Sequence, residues 1–136
     1  MYKVCVIVIN DKGYTGEEED ISGKLVEEYL KKNKFNIAAY SIVPEKKEIF
    51  KRVLIKCCDE YEVDLIITLG EISIANEVSR DIEDRSDLEK YNFEYRDESM
   101  GCFLFRGNTA IINFPYKLKP SDIPLETIER VLREMK

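Results

Sequence analysis

Histidine is absent from the chain, and that one absence removes the Ser-His-Asp and Cys-His nucleophile systems together with any His-ligated zinc site. Chemistry, where present, must come from carboxylates, lysines, hydroxyls and backbone dipoles. Cysteine is sparse. Cys5, Cys57, Cys58 and Cys102 form no C-x-x-C pair, and three of them lie inside apolar segments, the pattern of reduced core thiols rather than of a redox motif or metal clip. Positive charge is also in deficit: 21 Lys and Arg stand against 27 Asp and Glu, for a net charge of -6. With no long Lys/Arg cluster, nucleic acid and anionic membrane are not expected as partners. No apolar run reaches the length of a membrane span, and Val4 to Ile9 is too short for the core of a signal peptide. A cytoplasmic protein is expected. Repeats, linkers and low-complexity segments are lacking, and 136 residues at 44% hydrophobic content fit a single domain over 1–136 with a core of its own.

What is present is an alternation of strand-like and helix-like stretches. Tyr2 to Ile9 is a β-branched run typical of a strand covered on both faces. Asn10 to Glu19, with two glycines and no periodicity, reads as a loop leaving that strand. Asp20 or Ser22 offers an N-cap to a helix over Lys24–Lys32. Phe35 to Val43 reads as a second strand ending at Pro44. Apolar residues at i, i+3, i+4 spacing predict a second helix from about Lys46 to Tyr61. Asp64 to Leu69 is then a third strand whose carboxyl end opens, at Gly70, into a ligand loop. The β-α-β-α-β order demands right-handed crossovers and a parallel sheet. Twelve of the twenty residues from Ser79 to Glu98 are charged, so that region reads as a solvated helix, an excursion or an interface flap rather than core. Met100–Arg106 and Thr109–Phe114 flank Gly107-Asn108 as an antiparallel hairpin, and about Ser121 to Met135 forms the closing helix.

Five separated segments then fall into register: Asn10-Asp-Lys-Gly-Tyr-Thr-Gly16, Asp20-Ile-Ser-Gly23, Tyr40-Ser-Ile-Val-Pro-Glu45, Asp64-Leu-Ile-Ile-Thr-Leu-Gly70 and Ile111-Ile-Asn-Phe-Pro115. In this order they resemble the Mog/MoaB family of molybdenum cofactor biosynthesis, the molybdopterin adenylyltransferases. The resemblance implies an α/β three-layer sandwich with a mostly parallel central sheet and a C-terminal antiparallel hairpin, commonly assembled as a homotrimer. It also implies a pterin or nucleotide ligand, with molybdopterin and Mg-ATP as cofactor and substrate and AMP transferred to the pterin's terminal phosphate. That reaction needs a backbone cradle for phosphates and a magnesium held by carboxylates.

Carried over residue by residue, the family's S-D and D-x-S-G become Asn10-Asp11 and Asp20-Ile21-Ser22-Gly23, so Asp11, Asp20, Ser22 and Gly23 would line the ligand pocket. As residues alone, Asp11 reads equally as a turn starter and Ser22 as a helix cap. The family's V-P-D-E becomes Val43-Pro44-Glu45-Lys46, which makes Glu45 a candidate magnesium ligand or an ordinary first-turn acid. The loop T-T-G-G-T-G reads Thr68-Leu69-Gly70-Glu71-Ile72-Ser73, leaving Thr68, Gly70 and Ser73 to bind ligand. Glu71 replaces a glycine there: two unit charges 4 Å apart repel by about 1 kcal/mol in water and about 4 kcal/mol at an effective dielectric of 20. For the family's R-D-x-T-P-E two registers are open. Without a gap Glu77 and Val78 take the Arg and Asp positions; with three inserted residues Arg80 and Asp81 do, and Asp81 would share magnesium and catalysis with Glu45. The L-P-G-S-P turn becomes Phe114-Pro115-Tyr116-Lys117-Leu118, with Tyr116 where the family has glycine.

The expected function is a divergent molybdopterin-binding protein whose adenylyl transfer is impaired or lost. An active molybdopterin adenylyltransferase and a non-catalytic oligomeric interaction module are the alternatives within the fold. A flavodoxin-like nucleotide or flavin binder is the alternative outside the family.

Overall fold

The computed structural model describes residues 1–85, 92–95 and 99–135. Strand β1 (Lys3–Ile9) is followed by a short helix α1 (Asp11–Thr15), α2 (Ile21–Lys32), β2 (Asn36–Val43), α3 (Lys47–Asp59), β3 (Leu65–Gly70) and α4 (Ile72–Ile82). Then come β4 (Asn92–Tyr95), β5 (Ser99–Arg106), β6 (Thr109–Pro115), a 3-10 turn (Pro120–Asp122) and α5 (Leu125–Met135). The six strands form one sheet in the order β2-β1-β3-β6-β5-β4. The first four are mutually parallel, while β5 runs antiparallel to β6 and β4 antiparallel to β5. None of the described helices is long and apolar enough to cross a membrane.

The strand period of two divides the core. Val4, Val6 and Val8 of β1, Leu65, Ile67 and Leu69 of β3, and Ala110, Ile112 and Phe114 of β6 meet Val26 and Leu30 of α2 and Ile128, Val131 and Leu132 of α5. Their alternates Cys5, Ile7, Ile9, Ile66 and Ile111 meet Phe50, Leu54 and Cys57 of α3 and Ala75, Val78 and Ile82 of α4. The result is the expected three-layer sandwich. β1 and β3, buried on both faces, read as continuous apolar runs for that reason.

Four sequence expectations change. Asn10–Glu19 is not all loop, because the Asn10 side chain accepts from the Gly13 amide at 2.6 Å and starts α1, a turn too short to show periodicity. Asp20, not Ser22, caps α2, accepting from the Gly23 amide at 2.9 Å. The closing helix starts at Leu125 rather than near Ser121, after the 3-10 turn. The charged stretch begins inside α4, where Ser79 and Ile82 are buried, and β4 adds an edge strand within it. The rest of that expected excursion, residues 86–91 and 96–98, lies outside the described residues. The hairpin is as expected, with Gly107 at φ +57 in its turn, a conformation glycine adopts freely.

Candidate functional site at the carboxyl edge of the sheet

Register brings four strand ends into one row: Ile9 pairs with Val43 and with Gly70, and Gly70 pairs with Pro115. The residues that follow, Asn10-Asp11, Pro44-Glu45, Glu71 and Tyr116, therefore share one edge, where open parallel sheets bind ligands. Asp11 accepts from the Glu45 backbone amide at 2.7 Å. Desolvation, the hydrogen-bonded Asp11 carboxylate and, further off, Glu71 raise the Glu45 carboxyl above its ordinary value. Asp11 and Glu45 thus make a close, electrostatically strained pair. Magnesium is commonly held by one or two carboxylates with water and substrate phosphate completing the shell, and this pair offers that many. No group of three potential ligand side chains gathers anywhere among the described residues.

On the α2 side the D-x-S-G residues form a buried hydrogen-bond node. Asp20 is 3% exposed, and its carboxylate accepts from the Gly23 amide, from the Tyr40 hydroxyl and from the Tyr116 hydroxyl at 3.0 Å. Burial and the hydrogen bond to Asp20 push the Tyr116 phenol up to about 12. Gly23 is dictated by space: a Cβ there would stand 2.2 Å from Asp20 Oδ2 and 2.7 Å from Val8 Cγ2. Ser22 sits half-buried in the first turn of α2.

On the opposite face the expected phosphate loop is reduced to a single residue. β3 ends at Gly70, Glu71 takes the N-cap position, and α4 is helical from Ile72. Gly70, at φ +144, is required by packing, since a Cβ would lie 2.2 Å from the Ile9 carbonyl oxygen. Glu71 makes no capping bond to the α4 backbone; its Oε1 accepts from the Ser73 hydroxyl at 2.9 Å. Thr68 does not face outward either. It donates to Asn113 Oδ1 at 2.6 Å, and Asn113 Nδ2 donates to Asn76 Oδ1 at 3.0 Å and to Ser79 Oγ at 3.2 Å. This polar cluster, with Thr68, Ser79 and Asn113 all buried, ties β3 and β6 to α4. Sequence reasoning missed Asn76, Ser79 and the role of Asn113; the one available signal was a lone amide inside the apolar run Ile111-Ile-Asn-Phe114.

Asp81, the other candidate magnesium ligand, lies in the last turn of α4, ten residues beyond Glu71. Asp81 is exposed and accepts from Lys51 Nζ at 3.2 Å, and Glu77 pairs with Lys47, so α4 lies against α3 with Asp81 level with that helix's second turn. From Glu71 to Asp81 the helix rises roughly 15 Å. Val78, at 4% exposed, belongs to the core beside Ala75 and Ile82. Neither register of the R-D motif therefore puts a carboxylate at the edge from α4. Elsewhere, a concavity of about 570 Å³ along the outer face of α3 is lined by Ile49, Arg52, Val53, Ile55, Lys56, Asp59 and Glu60.

Comparison with known proteins points to one family. Residues 5–79 match a family described as a probable molybdopterin binding domain. A molybdopterin adenylyltransferase of Helicobacter pylori (strain J99) is 37% identical over 69 residues, 49% of this chain and 39% of that protein's length. The match thus spans well under half of the curated relative. The crystal structure of the molybdopterin biosynthesis enzyme MoaB from Thermus thermophilus superposes with a TM-score of 0.76 at 29% identity, covering 99% of this chain and 94% of that one. A molybdopterin biosynthesis protein from Mycobacterium abscessus gives 0.77 at 18% identity, covering 98% and 96%, a likeness of fold.

Proposed function

The chain belongs to the molybdopterin-binding domain family of molybdenum cofactor biosynthesis, and from that premise we propose that it binds molybdopterin at the carboxyl edge of its sheet with adenylyl transfer impaired or lost. The observation that carries this reading is the direct passage from β3 through Glu71 into α4. A glycine loop at this point would present several backbone N–H groups to a phosphate chain. Here the N-terminus of α4 instead carries a carboxylate, close enough to Glu45 to raise it. A terminal monophosphate can approach from the side; a triphosphate meets Asp11, Glu45 and Glu71 together.

Magnesium, if used, would be held by Asp11 and Glu45, with Asp81 outside the shell. A divalent ion there would neutralise charge on a bound phosphate. Thr68 and Gly70 serve this site as framework, Ser73 donates to Glu71, and Ser22 is left as a donor to ligand. The buried thiols Cys5, Cys57 and Cys58 suit a reducing, cytoplasmic setting.

Calorimetric titration with molybdopterin, and separately with Mg-ATP, tests the reading. Micromolar or tighter molybdopterin binding with Mg-ATP at least a hundredfold weaker is expected, and equal binding of both ligands would count against it. A second reading, an oligomeric interaction module, draws on the apolar part of the α3 concavity, Ile49, Val53 and Ile55. Sedimentation velocity addresses it, a homotrimer being the assembly expected from the family.

A further inference from the structure

We infer that Tyr116 is an internal gate on Asp20, occupying the donor position that the 2-amino-4-oxo edge of a pterin takes when it binds. This rests on the pterin-binding reading above. Asp20 has the properties of a receptor for a two-donor edge: it is fixed by its own helix through the Gly23 amide, it is 3% exposed, and each carboxylate oxygen carries a phenolic O–H, Tyr40 on Oδ2 and Tyr116 on Oδ1. A planar N–C–N edge meets a carboxylate with one N–H on each oxygen; Oδ1 here holds the Gly23 amide as well as Tyr116, so departure of the phenol frees one position on Oδ1, beside the acceptor capacity that Tyr40 alone leaves on Oδ2. The pterin edge, with N3–H beside the 2-amino group, presents that pair of N–H groups.

The two tyrosines differ in what they are attached to. Both rings pack against the same core, but Tyr40 lies within β2, paired to Val6 of β1. Tyr116 follows the last residue of β6 and stands on the turn closed by the Leu118 amide on the Pro115 carbonyl. It is only half-buried and has Glu18 in its surroundings. It therefore comes from the connection, not the sheet, and can leave Asp20 without breaking a strand. While it remains, Oδ1 carries both the Gly23 amide and the phenol; an entering ligand must supply a donor at least as good as a phenol on a carboxylate, a charge-assisted bond.

The experiment uses unsubstituted pterin as probe, followed by its fluorescence, with lumazine, which carries a carbonyl in place of the 2-amino group, as the matched control. Tyr116→Ala is expected to bind pterin at least tenfold more tightly than the natural chain and to gain nothing for lumazine. Adding Asp20→Asn in that background is expected to abolish the gain. Tyr116→Leu keeps apolar packing should alanine unfold the turn, and far-UV circular dichroism verifies that the Asp20 variant retains α2. An equal gain for lumazine, a gain that survives Asp20→Asn in folded protein, or no gain in either Tyr116 variant would each overturn the gate. Molybdopterin titration of the natural chain separates the two ideas. Molybdopterin binding without a Tyr116 effect removes the gate alone, a Tyr116-dependent pterin gain without molybdopterin binding removes the broader reading alone, and no binding of either ligand to any variant removes both.

Discussion

Val78→Asp restores the acid that the ungapped register would require, and the structure makes its outcome calculable. Val78 is 4% exposed and packs among Phe50, Leu54, Ala75 and Ile82. Removing its apolar surface from the core forfeits about 1.5 kcal/mol. The carboxyl must then be buried neutral: its folded pKa rises by roughly 3 to 4 units above an unfolded value near 3.9, which at pH 7 adds about 4 kcal/mol. The total, about 5 to 6 kcal/mol, reaches the lower end of ordinary domain stability. The sign of the pH dependence follows from linkage. With the folded pKa raised, the electrostatic penalty is absent below about pH 4 and grows as pH rises toward the folded pKa, because the unfolded chain releases its proton first. Urea unfolding at pH 4.5 and pH 7 should show the variant losing about 2 to 3 kcal/mol at the lower pH and about twice that at the higher, each against the natural chain at the same pH. A loss below about 1 kcal/mol, equal at both values, would mean that position 78 reaches solvent and that the ungapped motif lies at the edge after all.

Gly70→Ala must shift the end of β3, because its Cβ meets the Ile9 carbonyl oxygen at 2.2 Å in a backbone conformation with φ +144; a loss of about 3 kcal/mol or more is expected in urea melts. Asn113→Ala leaves the Thr68 hydroxyl without its acceptor and removes the bonds to Asn76 and Ser79, so about 2 to 4 kcal/mol should be lost, with amide hydrogen exchange quickening first in α4. Glu45→Gln should raise the melting temperature at pH 7 and change it little at pH 4. The folded pKa of Glu45 is raised, so ionising it weighs against the fold only above the unfolded value. The reverse pH order would contradict the Asp11–Glu45 repulsion.

The layered fold was legible because periodicity carries it. Val4 to Ile9 and Leu65 to Leu69 are apolar at nearly every position, as strands covered on both faces must be, and Phe50, Leu54, Cys57 and Cys58 repeat at helical spacing. The site was legible only in part. Motif spacing picked out Asp11, Asp20, Gly23 and Glu45 as candidates, and it could foresee the local bond from the Gly23 amide to Asp20. It could not find that Asp20 is sealed by two tyrosines from β2 and the β6 exit, since those contacts span 20 and 96 residues and no local pattern encodes them. The start of α4 was hidden because Glu71-Ile-Ser-Ile-Ala-Asn mixes β-branched and capping residues, most of them weak in helix propensity. Only packing of Ala75, Val78 and Ile82 onto the sheet decides that this stretch is helix and not loop. That decision sets Asp81 against Lys51 of α3 and leaves the Thr68 hydroxyl bonded to Asn113 within the packed layer.

The most direct test of the central claim is to incubate the chain at stoichiometric concentration with molybdopterin, ATP and magnesium and to measure bound pterin and adenylylated pterin in the same sample by chromatography and mass spectrometry. Retained molybdopterin with no adenylylated product above the protein-free reaction is the predicted result. Adenylyl-molybdopterin formed over repeated turnovers would contradict it, showing that Glu71 and the missing glycine loop leave the transfer intact.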